Sequence, residues 1–131
     1  MNPKEVNTLS VAVMGIGNMG RHHARIYHSM PQVDLVAVID HKEDNLKRIS
    51  EELGVPAYSS IDAAIADQHI DAINIVLPSM HHYQYAKEAL DHGCHVLIEK
   101  PFTHSSETAQ ELIDYAKSKN RTLTVGHIER F

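Results

Sequence analysis

The chain has 131 residues, enough for one compact domain with a sizeable core. Its 12 lysines and arginines are scattered and outnumbered by 17 acidic residues, which argues against nucleic acid or an anionic membrane as a partner. A single cysteine, Cys94, rules out an internal disulfide, and no stretch reads as a signal peptide or a membrane span, so a reducing cytoplasm is the expected compartment.

Met1 to Thr8 is polar, carries Pro3 and is expected to be a loose leader. Leu9 to Met14 is a strand-length apolar run that meets Gly15-Ile16-Gly17-Asn18-Met19-Gly20, and Met19 to Ser29 can then form a helix until Pro31 stops it. A strand, a Gly-x-Gly-x-x-Gly turn and a helix start, in that order, is the arrangement that holds a dinucleotide. Gly15 takes the dihedrals of the turn, Gly17 keeps the backbone bare for a pyrophosphate, and Gly20 lets the helix lie close on the strand. Arg21, His22 and His23 in the first turn of that helix suit a nearby phosphate or simply face solvent.

Val33 to Ile39 is the second strand, and Asp40 follows it, about 20 residues after Gly20, where the fingerprint calls for an acid. Its carboxylate can accept from both ribose hydroxyls of the adenosine half and would repel a 2′-phosphate, so NAD is expected over NADP. His41 and Lys42 come directly after it and can soften that preference, which keeps NADP open.

Lys42 to Leu53 carries Leu46, Ile49 and Leu53 at helical spacing, with Gly54 as its stop. Ala57-Tyr58 is a short strand, and Ser59-Ser60-Ile61-Asp62 reads as a capping box opening a helix through Asp67. Ala72 to Leu77 is a buried strand ended by Pro78, and a helix from Ser79 to His92 is stopped by Gly93. His95 to Ile98 is the fifth strand, followed by Glu99-Lys100-Pro101; Ser106 to Lys119 is the last helix, burying Ala109, Leu112, Ile113 and Ala116, and Thr122 to Val125 is the sixth strand. This alternation calls for one α/β domain over residues 9–131: a doubly wound, mostly parallel sheet of about six strands with helices on both faces, in the order 3-2-1-4-5-6. Ligands bind outside the carboxyl ends of such strands, at Gly15 to Met19, Asp40, Leu77-Pro78, Glu99-Lys100 and Gly126-His127.

Lys100 is the titratable residue of greatest interest. Placed just past a buried strand and fixed by Pro101, it can relay a substrate hydroxyl's proton or stabilise an alkoxide; a solvated loop lysine is the other reading. His82 can cap or orient the helix after Pro78 near the cofactor, or be a surface histidine, and Cys94 reads as a packing residue at a strand edge. The eleven histidines include the adjacent pairs His22-His23 and His81-His82, and adjacent helical residues share no chelating face. With no Cys cluster and no His-Glu-x-x-His, no metal site is expected.

Val11 to Gly20 with Asp40, Leu77-Pro78 with His82, Ala89-Leu90, and above all His95-Val96-Leu97-Ile98-Glu99-Lys100-Pro101 resemble the cofactor domain of the Gfo/Idh/MocA oxidoreductases. The resemblance runs over about residues 9 to 131, and Gly126 to Phe131 is similar to the junction into the family's second domain, particularly in its nucleotide-sugar 3-dehydrogenase branch. It implies an NAD(P)-dependent enzyme acting on a carbon of a sugar, cyclitol or related small molecule, with Lys100 beside nicotinamide and substrate. It also implies a second α/β domain, absent here, that holds most substrate contacts and the usual homo-oligomer interface. The chain is then a fragment of a larger protein, the favoured reading, or a stand-alone cofactor domain, and inactive alone in either case. Two other readings remain open: a non-catalytic module that senses NAD and acts through a partner, and a domain whose nucleotide is not a nicotinamide.

Overall fold

Apolar side chains on both faces of a strand drive it to the middle of a sheet that is covered on both sides. In β1 (Leu9–Met14), Ala12 and Met14 enter one core and Val13 the other. The structure, a computed structural model, describes residues 8–78, 81–99 and 106–126. The leader expected over Met1 to Thr8 lies outside them apart from Thr8.

The further strands are β2 (Val33–Ile39), β3 (Ala57–Tyr58), β4 (Ala72–Ile75), β5 (His95–Glu99) and β6 (Leu123–Gly126). All pairings are parallel and the order is β3-β2-β1-β4-β5-β6, as the alternation of elements predicts. On one face, α1 (Asn18–Ser29) and α2 (Glu43–Leu53) bury Ala24, Leu46 and Ile49 against Val13, Leu35 and Val38. The opposite face is covered by α3 (Ile61–Asp67), α4 (His82–Asp91) and α5 (Ser106–Ser118), through Ile61, Ala64, Ala86, Leu90, Leu112 and Ala116. Among the described residues no helix is long and apolar enough to cross a membrane.

Register brings the functional ends together. Met14 pairs with Ile39 on one side and Ile75 on the other, and Ile75 with Ile98, so four strands release their chains along one edge. Strand order reverses between β1 and β4, where ligands settle in such sheets.

The element ends differ from expectation in places, each for a local reason. β4 leaves the ladder after Ile75 rather than Leu77, because β1 turns away at Gly15; Val76 N–H still donates to Met14 O at 2.8 Å, and Pro78 has no N–H to give. α4 starts at His82, with His81 as its N-cap, instead of at Ser79; residues 79–80 lie outside the described set. β5 runs one residue further, to Glu99, paired with Gly126 of β6. The capping box is half made: Ser60 Oγ accepts from Ala63 N–H at 3.1 Å, but the residue at that third position is alanine and has no carboxylate to return the bond. Cys94, immediately before β5, is fully buried in the core, as a packing residue there should be.

α1 lies on the turn after β1 so closely that a Cβ on Gly20 would stand 1.7 Å from the Gly15 carbonyl oxygen. Gly20→Ala must therefore push the helix outward, and its loss is expected to be about 2 kcal/mol or more despite alanine's better helix propensity. Urea unfolding measures it; a midpoint equal to that of the wild type would contradict the close packing.

Candidate functional site

At the end of β1 the chain turns through Gly15, whose φ of +96° disfavours any other residue and whose Cβ would meet Val76 O at 2.5 Å. Gly15 N–H donates to Ile39 O at 2.8 Å, tying the turn to β2. Ile16 is fully buried in the core under α1 and acts as the anchor of the turn. Gly17 is the N-cap of α1, exposed, and a Cβ there would touch nothing within 4 Å. Asn18 and Met19 are exposed beside it, no side chain caps the helix, and its first turn carries no acid. Unpaired N–H groups at such a helix start attract an anion. Arg21, in the same turn, has its Nε buried with no hydrogen-bond partner among the described residues. Open space over Gly17 at a helix start, and an Arg21 whose buried Nε has no hydrogen-bond partner among the described residues, suit the diphosphate of a dinucleotide.

Asp40 follows β2 and is buried. Its Oδ2 accepts from Ile16 N–H at 2.7 Å and from Asn45 Nδ2 at 3.2 Å, and its Oδ1 accepts from Lys42 N–H at 3.0 Å. His41 Nδ1 stands 3.6 Å from Oδ1. Burial pushes the Asp40 carboxyl up, but the N–H groups of Lys42 and Ile16, the Asn45 amide and the nearby His41 outweigh it and hold the group below its ordinary value. The acid therefore stays charged and sits against the glycine turn.

A cavity of about 130 Å³ opens beside it, with Gly15, Asp40 and His41 on one side and Leu77, Tyr85 and Glu88 on the other. Pro78 is exposed after Leu77. His82 is buried in the first turn of α4, and its Nε2 is 2.8 Å from Leu77 O, so it fixes the chain at this wall and the surface reading is set aside. Glu99 closes β5 at the same edge of the sheet; Lys100, Pro101 and His127 lie outside the described residues.

The structure thus brings Gly15, Ile16, Gly17, Asp40, Leu77 and His82 to one end of the sheet, and adds Asn45 and Tyr85, which no motif singled out. Asn45 is legible only as a polar position early in α2. Burial pushes the Cys94 thiol up to about 11, so it is no reactive thiolate. Against the expectation of no metal site, Asp62, Glu88 and His92 place ligand atoms within 4.8 Å of one another, from α3 and the end of α4. Asp62 Oδ1 and His92 Nε2 already lie 2.7 Å apart in a hydrogen bond, so the approach of these two has an account that needs no ion.

Residues 9–127 match the model of an oxidoreductase family described as having an NAD-binding Rossmann fold. The chain is 38% identical over 122 residues to the UDP-N-acetylglucosamine 3-dehydrogenase of Acidithiobacillus ferrooxidans, covering 93% of this chain and 38% of that protein. Its fold superposes with a TM-score of 0.82 on scyllo-inositol dehydrogenase from Lactobacillus casei with bound NAD(H) and scyllo-inositol, at 28% identity over 91% of this chain and 36% of that one. A 3-ketoreductase from Actinomadura kijaniata, in complex with TDP-benzene and NADP, superposes with a TM-score of 0.85 at 26% identity, over 92% of this chain and 37% of that one. The chain spans well under half the length of these proteins. It belongs to this Gfo/Idh/MocA family as an NAD-binding Rossmann domain, with NAD or NADP bound in its structural neighbours.

Because the folded state holds Asp40 below the ordinary aspartate value of 3.8, the stability it lends is present above that pH and is lost as pH falls through the lower folded value. Asp40→Asn is expected to cost about 1.5–3 kcal/mol at neutral pH, the range for hydrogen bonds to a charged group, and to flatten the acid limb of stability below pH 3.8. Chemical denaturation at a series of pH values checks both; an acid limb unchanged in the variant would contradict the assignment.

Proposed function

We propose that this member of the family is the cofactor half of a dehydrogenase that moves a hydride between nicotinamide and a hydroxyl-bearing carbon of a sugar, cyclitol or nucleotide-sugar. The observation that carries the proposal is the open space over Gly17, next to an Asp40 held charged at the end of β2. The glycine turn from Gly15 to Gly20, with Asn18 and Met19 on its exposed side, binds the pyrophosphate through backbone N–H groups. Asp40 orients the adenosine ribose, and Leu77, Pro78 and His82 form the facing wall. A bound nicotinamide cofactor supplies the hydride chemistry.

Lys100 follows Glu99 at the carboxyl edge of β5, and in this reading both border the nicotinamide half. Its amino group holds and moves the proton of the substrate hydroxyl oxygen, which rises or falls in basicity as the carbon changes oxidation state. Substrate contacts and a homo-oligomer interface belong to a second domain, a reading supported by relatives of which this chain covers 38% or less. The protein works in the cytoplasm on a small sugar-like substrate, with no nucleic acid or membrane partner. Relatives named for dehydrogenase and reductase activities weigh against a non-catalytic NAD sensor.

The test uses the protein extended to include the substrate domain, assayed with NAD against a panel of nucleotide-sugars and cyclitols. Turnover should depend on cofactor, and Lys100→Met should lower kcat by about 100-fold or more while leaving NADH affinity within about threefold. Absence of turnover on every substrate, or full activity in the variant, would overturn the reading.

A further inference from the structure

Asp40 cannot serve as a variable charge at the cofactor site, because its two oxygens already take the N–H groups of Ile16 and Lys42 and the amide of Asn45. The next residue can. His41 lines the same cavity, its side chain is 79% exposed, and its Nδ1 lies 3.6 Å from Asp40 Oδ1. A ribose held at Asp40 would therefore have an imidazole at its rim, within reach of anything carried on its hydroxyls. Imidazoles as a class change charge between about pH 5 and 8.

We propose that His41 makes the choice between the two nicotinamide dinucleotides depend on pH. Protonated, it gives a 2′-phosphate a cation to pair with beside the Asp40 carboxylate; neutral, it leaves the carboxylate's repulsion unopposed. The inference rests on the reading of this cleft as the dinucleotide site and adds a determinant of which dinucleotide enters. Other charges face the same space. Lys42, Glu43 and Asp44 follow along the exposed start of α2, and His81, the N-cap of α4, lies across the cavity with Tyr85 and Glu88 of that helix. Of these, Lys42 keeps its charge through the range, so it raises NADPH affinity evenly and gives no slope. His81 could imitate His41, and so could Glu88, whose carboxyl is pushed up by burial and by the nearby Asp62 and which on protonation would stop repelling a 2′-phosphate. The 2′-phosphate also titrates, near pH 6, and loses charge on acidification, which opposes the effect of His41 and acts alike on every variant.

Calorimetric titrations with NADH and with NADPH, between pH 8 and pH 6, test this on the wild type, His41→Gln, His81→Gln and Glu88→Gln, the last expected to keep the wild-type rise. The ratio of NADPH to NADH affinity should rise about fivefold on acidification in the wild type and in His81→Gln, the size of one solvent-facing ion pair. In His41→Gln it should stay flat or fall. A ratio that does not rise in the wild type, or a rise that survives in His41→Gln, would overturn the role of His41 while leaving the dinucleotide site standing. Binding of neither cofactor at any pH would overturn both.

Discussion

The hydrogen bond from Ile16 N–H to Asp40 Oδ2, 2.7 Å long and buried, joins the turn after β1 to the end of β2. Gly15 N–H to Ile39 O makes a second tie one residue earlier, so two consecutive amides of the turn are held by one neighbouring strand. The first helix then has only one place to start. Ile16 is drawn into the core, Gly17 is left outside as the N-cap, and the helix amides open toward solvent over a position without a side chain. A residue that the dinucleotide fingerprint describes as a ribose contact is thus also a structural member of the phosphate-binding turn.

This double use has an energetic consequence. Burying a carboxylate is unfavourable unless donors compensate it. Here two backbone N–H groups and an amide do so, with an imidazole nearby, and the charge persists in a wall of the cavity. The opposite wall is fixed by a similar device, since the buried His82 ring bonds the carbonyl of Leu77, just where β4 has left the ladder. Both sides of the cleft are set by side chains that reach from one element to the backbone of another.

Much of this was legible in the sequence. The glycine spacing, the continuous apolar runs and the alternation of elements predict the strand order, because a strand buried on both faces and a helix amphipathic on one leave few ways to cover a sheet. Asp40 was legible by its distance from Gly20. What was not legible depends on contacts between distant residues. Nothing local to Asn45 says that its amide reaches Asp40, and nothing in the pair His81-His82 says which ring is buried. The end of β4 is set by where β1 turns away, so Val76 and Leu77 look like strand and are not. Glu88 and His92, four apart on one helix face, carried a spacing that hints at their proximity, but Asp62 joins them only through the packing of α3 on the sheet. Lys100 and Pro101, which belong to the most specific stretch of the family resemblance, lie outside the described residues, as does His127, and the role of Lys100 rests on its place in the sequence after β5 and on the resemblance.

Whether the glycine turn is a preformed dinucleotide site is read out by calorimetric titration of this chain with NADH, set beside Gly17→Val. A preformed site gives saturable binding with one site per chain in the wild type, and loss of that binding in a variant that remains folded, because the valine side chain occupies the space over residue 17. Equal binding by the variant, or no binding by a folded wild-type chain, would contradict it.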